Sequence, residues 1–158
     1  MTEPYGMTIF CDDIRQERNA KLLYIGVYQH ALIFQGDFPL RLPKFCIAVN
    51  FVGPPELRED IEAVEIRVYL PGDSAEKPSI AIKPGIQELP AEEEPEPGEP
   101  IDILRPPNTI GFYFQLVSEG MEIRQEGRIR VRALFPSGAF VYLGSLKVKS
   151  RPANEPPR

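Results

Sequence analysis

The chain has no tryptophan, a single histidine (His30) and two cysteines (Cys11 and Cys46) among its 158 residues. With one imidazole, Ser/His/Asp or Cys/His catalysis would have to be built on His30, and neither cysteine nor any serine sits in a nucleophile elbow. A zinc site is equally short of ligands: there is no CxxC spacing and no second cysteine pair, and one histidine does not complete a tetrahedral set. Glycine-rich phosphate cradles are missing as well, because Gly36, Gly53, Gly72 and Gly98 are isolated and form neither GxGxxG nor a Walker pattern. No apolar run approaches the ~20 residues of a membrane-spanning helix. The start, Met1 to Gly6, lacks a basic n-region and an apolar h-region, which makes a cytoplasmic location the expectation. No internal repeat is visible, which argues against solenoids and propellers.

Proline, in contrast, is abundant: 18 residues in 158, about twice the usual ~5%. Nearly all of it lies between apolar segments or in the tail, where it marks strand ends and stiffens connections. The hydrophobic fraction of 42% and charged fraction of 26% suit an ordinary soluble domain. At this length the chain forms one domain over residues 1–150, with a polar, proline-rich tail at 151–158.

Four segments carry an apolar residue at every second position: Phe45, Ile47, Val49, Phe51; Val64, Ile66, Val68, Leu70; Ile110, Phe112, Phe114, Leu116; and Ile129, Val131, Ala133, Phe135. Successive side chains of a strand point to opposite faces, so each segment has one apolar face that another layer must cover. Further strands are expected at Met7 to Asp12, within Leu22 to Phe34, at Ile80 to Ile82, briefly at Met121 to Ile123, and from Ala139 to Lys149. Gly26, inside the second of these, signals a bulge or a close backbone approach. Pro71-Gly72-Asp73-Ser74 reads as a turn. Seven to nine strands without a long amphipathic helix predict an all-β fold, a two-sheet antiparallel β-sandwich, immunoglobulin-like or related. A small closed barrel is the second choice.

Between Glu88 and Pro107 the composition changes to seven carboxylates (Glu88, Glu92, Glu93, Glu94, Glu96, Glu99, Asp102) and six prolines. Repelling charges and missing backbone donors predict an extended loop inserted into the domain. Charge is uneven along the chain. Residues 101–158 hold nine Lys or Arg against five Asp or Glu, +4, whereas residues 1–100 hold nine against eighteen, −9, together the net −5.

Three groups of residues are candidates for function. Arg128, Arg130 and Arg132 alternate with Ile129, Val131 and Ala133, so their guanidinium groups leave one face of one strand. That stripe, with Glu92, Glu93 and Glu94 of the acidic loop, is the expected protein-contact surface, set against the plain alternative of a solvated strand face that guards against edge pairing. The loop itself is a third occupant for the stripe. Nucleic acid is a weaker partner, because three charges fall short of a phosphate-binding footprint in a chain of pI near 5. Finally, Asp12, Asp13 and Glu17 cluster after the first strand and are the candidate ligands for calcium or magnesium, or an acid and base pair. Against this stands turn capping and pairing with Arg15 or Lys21, with EF-hand spacing absent. His30, inside an apolar run, reads as a hydrogen-bonded strand residue. Cys11 and Cys46 read as buried thiols. If their strands were neighbours a disulfide would fit, although a reducing cytoplasm would oppose it.

The stretch Phe10-Cys11-Asp12-Asp13-Ile14-Arg15, Glu17, Ile25-Gly26-Val27-Tyr28, Phe38-Pro39, Leu42-Pro43-Lys44 and Cys46 resembles an uncharacterised family of small bacterial and phage-associated proteins, a domain of unknown function. Ala20 stands where that family often has glycine before the lysine, here Lys21. Glu126-Gly127-Arg128-Ile129-Arg130-Val131 is similar to the penultimate strands of immunoglobulin-like sandwiches. The resemblance implies a bacterial or phage origin and a β-sandwich, and brings no activity, cofactor or catalytic residue. The expected function is therefore a non-enzymatic interaction or structural module, cytoplasmic or in a phage virion, binding a protein partner and no cofactor. The alternative is a metal-dependent enzyme or calcium-responsive module.

Overall fold

A computed structural model describes residues 3–85 and 109–154. Among these residues nine strands follow in order: β1 (Tyr5–Gln16), β2 (Leu22–Val27), β3 (Ala31–Gln35), β4 (Leu40–Gly53), β5 (Glu65–Tyr69), β6 (Ile80–Ile82), β7 (Ile110–Ile123), β8 (Gly127–Leu134) and β9 (Phe140–Arg151). They form two sheets, β2-β1-β4-β7 and β3-β9-β8-β5-β6, so the fold is the expected two-layer sandwich and not a closed barrel. The only α-helix among the described residues, α1 (Arg58–Ile61), is a single turn between β4 and β5. It buries Ile61 against the core. No helix in this region is long and apolar enough to cross a membrane.

The alternation read in the sequence sets the core. Phe45, Ile47, Val49 and Phe51 from β4 meet Ile66 and Val68 from β5, Phe112 from β7, and Ile129, Val131 and Ala133 from β8 in one buried cluster. Phe51 binds the layers together: its ring stacks on Phe112 at 4.8 Å and tilts against Phe135 at 5.6 Å. Where β1 crosses β9, the Thr8 hydroxyl donates to the Leu143 carbonyl at 2.9 Å. This satisfies a polar group where the two layers touch.

Several features depart from the sequence expectation. The segment from Leu22 to Phe34 is two strands, because the chain leaves the four-stranded sheet after β2 and joins the other as β3. His30 lies in the bend between them and is exposed, not inside a strand. Secondly, β3 pairs with β9 in parallel, Ala31 with Lys147 through Gln35 with Arg151, so the sandwich is antiparallel everywhere except at this edge. Thirdly, the strand expected from the Ile110, Phe112, Phe114, Leu116 alternation and the brief one at Met121 to Ile123 are one continuous β7, carried through by Gly120 at φ 72°. The tail expected from residue 151 starts one residue later, since Arg151 closes β9.

Candidate functional site

In β8 the core residues Ile129, Val131 and Ala133 fix the direction of their neighbours, so Arg128, Arg130 and Arg132 all project from the outer face of the five-stranded sheet. The neighbouring strands extend this stripe. Arg67 of β5 stands directly opposite Arg132, and Lys147 of β9 directly opposite Arg128. Lys149, two residues further along β9, shares the face of Lys147. Among the described residues, acids beside these cations include Glu65, which pairs with Arg67, and Glu126, whose carboxylate accepts the Ser150 backbone N–H at 3.1 Å.

Aromatic rings complete the surface. The Arg132 guanidinium lies over Tyr69 at 5.5 Å and over Phe140 at 5.9 Å, and Arg67 also stands over Phe140 at 5.9 Å. Phe140 and Tyr142 are 50% and 55% exposed. A guanidinium stacked on a ring keeps its N–H edge free to fork onto a carboxylate, and the ring holds it in place. Arg128 Nη1 donates to Ser145 Oγ at 3.2 Å, which orients it in the same way. Crowding of positive charge is felt by Lys147, whose ammonium pKa is lowered first by Lys149 and further by Arg128.

Sequence reasoning found the three arginines of β8 and missed Arg67, Lys147 and Lys149. The signal was present, since each alternates with buried apolar residues (Ile66 and Val68; Leu146 and Val148). What was lacking was the order β9-β8-β5 that places three separate segments side by side. Glu92, Glu93 and Glu94 lie outside the described residues, as does the whole acidic loop at 88–107.

The acidic cluster disperses. Asp12 and Asp13 are successive strand residues and point to opposite faces. Asp12 accepts a hydrogen bond from the Tyr28 hydroxyl. The Tyr28 pKa is raised, by burial first and then by this carboxylate. Asp13 accepts from Lys44 and, at 3.0 Å, from Arg15 Nε. Lys44 and then Arg15 hold its carboxyl below the usual range. Glu17 is exposed beyond the end of β1 and leads into a 3-10 turn, its backbone N–H donating to the Lys21 carbonyl at 2.8 Å. The three carboxylates therefore do not converge, and no group of three potential ligands forms among the described residues.

A polar pair of a different kind joins the outer strands of the four-stranded sheet. Tyr24 of β2 donates to the Tyr113 hydroxyl at 3.2 Å, which donates to Gln115 Oε1 at 3.1 Å. Burial, followed by the bond with Tyr24, raises the Tyr113 pKa. No family model, curated protein or solved structure matches this chain.

Proposed function

We propose that this protein is a non-enzymatic interaction module, an immunoglobulin-like β-sandwich of bacterial or phage origin, whose β5-β8-β9 face docks an acidic segment of a protein partner. The observation that carries this reading is the ladder of Arg67, Arg128, Arg130, Arg132, Lys147 and Lys149 interleaved with the exposed rings of Phe140 and Tyr142 on one sheet surface. Stacked guanidinium groups and exposed rings suit a partner that brings carboxylates together with aromatic or apolar side chains. Polyphosphate is the poorer fit: the chain as a whole carries −5, and that charge opposes a long polyanion wherever it extends beyond the face.

The test uses a fluorescent glutamate–tyrosine peptide and, in parallel, an oligothymidine of matched charge. The peptide should bind, with affinity falling as salt is raised. Combined Arg128→Ala, Arg130→Ala and Arg132→Ala replacement should weaken it by roughly tenfold or more, as expected for three exposed charge pairs of up to about 1 kcal/mol each. Equal binding of the peptide by the triple variant would overturn the placement of the surface. Tighter binding of the oligonucleotide would overturn the class of partner.

A further inference from the structure

Cys11 and Cys46 stand directly opposite one another in the antiparallel β1–β4 ladder. Opposed residues of such a ladder keep their Cα atoms about 4.5 Å apart at a non-hydrogen-bonded site and about 5.5 Å at a hydrogen-bonded one. A disulfide spans about 4.4–6.8 Å between Cα atoms, so the Cα separation of either kind of site lies within its reach. In-register partners share a face, which aims both sulfurs to the same side. Both thiols are free. Cys46 Sγ lies 3.8 Å from the Asp12 carbonyl, and each thiol is close enough to influence the titration of the other.

The pair lies on the side away from the inter-sheet core. Phe10 and Ile47, the neighbours of Cys11 and Cys46 in sequence, belong to the core cluster, whereas the cysteines do not. They are nonetheless fully shielded from solvent. On this outer face their in-register neighbours are Val27 and Val117, which are 48% and 44% exposed. Tyr113, hydrogen-bonded to Tyr24 across the same sheet, also lies close enough to act electrostatically on both thiols, so small reagents reach the pair through local opening of this outer face.

We propose that Cys11 and Cys46 form a redox modification site that closes to a cross-strand disulfide, tying β1 to β4, when the chain meets a low-molecular-weight disulfide oxidant. One cysteine, as thiolate, attacks a sulfur of the oxidant, whose S–S bond breaks and releases one small thiol. The second cysteine then attacks the protein sulfur of the mixed disulfide, the Cys11–Cys46 bond forms, and the second small thiol departs. The protein gives up two protons and two electrons, and the oxidant takes both. Burial, and then the neighbouring Cys46, push the Cys11 thiol up to about 11, and burial raises Cys46 as well. Closure is therefore slow at neutral pH and faster as pH rises. Once made, the bridge resists reduction, because thiols of high pKa are poor leaving groups.

Reduced protein is incubated with excess oxidised glutathione at mildly alkaline pH, quenched in acid, alkylated in denaturant and weighed. The expected product is a monomer lighter by two hydrogens with no alkylation. Its melting temperature should rise by on the order of 10 °C, the effect of closing a loop of this length in the unfolded chain, and dithiothreitol should reverse it. In the Cys46→Ser variant no internal bridge forms and Cys11 alone carries glutathione or the alkyl group. The wild-type mass alone decides the matter if that variant folds poorly. Persistent glutathione adducts on the wild type, disulfide-linked dimers in place of the internal bridge, or two thiols still open to alkylation would each overturn the proposal.

Discussion

Gly26 and Asp12 approach so closely across β1 and β2 that a Cβ on Gly26 would stand 2.2 Å from Asp12 Oδ2, and the glycine also holds φ +67°. These are separate costs. Gly26→Ala should destabilise by more than the about 1–2 kcal/mol of a left-handed alanine, as read from urea unfolding. Adding Asp12→Ala should recover the clash but not the conformational part. Ala20 is the reverse case, an alanine already at φ 59°. Ala20→Gly relieves that strain at some entropic cost, so a net gain of about 0.5–1 kcal/mol is expected. Asp13 gives a pH signature. Its pKa is lowered from 3.8 in the folded state by Lys44 and Arg15; the stability it contributes is present above that value and lost as pH falls through the folded pKa. Asp13→Asn should therefore flatten the decline in melting temperature below about pH 4.

At the scale of strands, the stacking of Phe51 on Phe112 and its contact with Phe135 make β4 the strand that ties the layers together. Phe51→Ala should cost about 3–5 kcal/mol, whereas Tyr142→Ala, on the exposed face, should change stability by well under about 1 kcal/mol. The inward faces of β4, β5 and β8 were legible because period-2 alternation identifies them without knowledge of neighbours. On β9 the alternation is legible within each half of the strand, but not how the two halves join. Val141 and Leu143 point inward, yet so do Leu146 and Val148, a change of parity that needs the register shift opposite Val131/Arg132. Gly144, at φ +153° with its Cβ position 3.0 Å from Thr8, sits at that irregularity. Only with this bulge in place do Phe140, Tyr142, Lys147 and Lys149 fall on the arginine face. The split between β2 and β3 was equally hidden, because an apolar run does not reveal which sheet each half will join.

Viewed whole, the sandwich has two unlike exteriors. The outer face of the five-stranded sheet is basic and aromatic, whereas Tyr5, Met7, Leu23, Ile25, Val27 and Val117 are exposed on the four-stranded sheet. Local opening should differ across the layers. Hydrogen exchange should be slowest in the central β4 and β8, and fastest in β3 and β6, short edge strands each held by one neighbour. Slow exchange throughout β3 would contradict that order.

The long ladder joining β4 to β7 runs in unbroken register from Leu40 opposite Ile123 to Gly53 opposite Ile110. On the ribosome, β4 emerges well before the strand that must cover its edge, and Phe45, Ile47, Val49 and Phe51 have no completed inner surface until β7 and β8 have been synthesised. Pairings this distant in sequence place the rate of folding in the slow, milliseconds-to-seconds range of β-rich topologies. A chain stalled before β7 would therefore present an aggregation-prone strand.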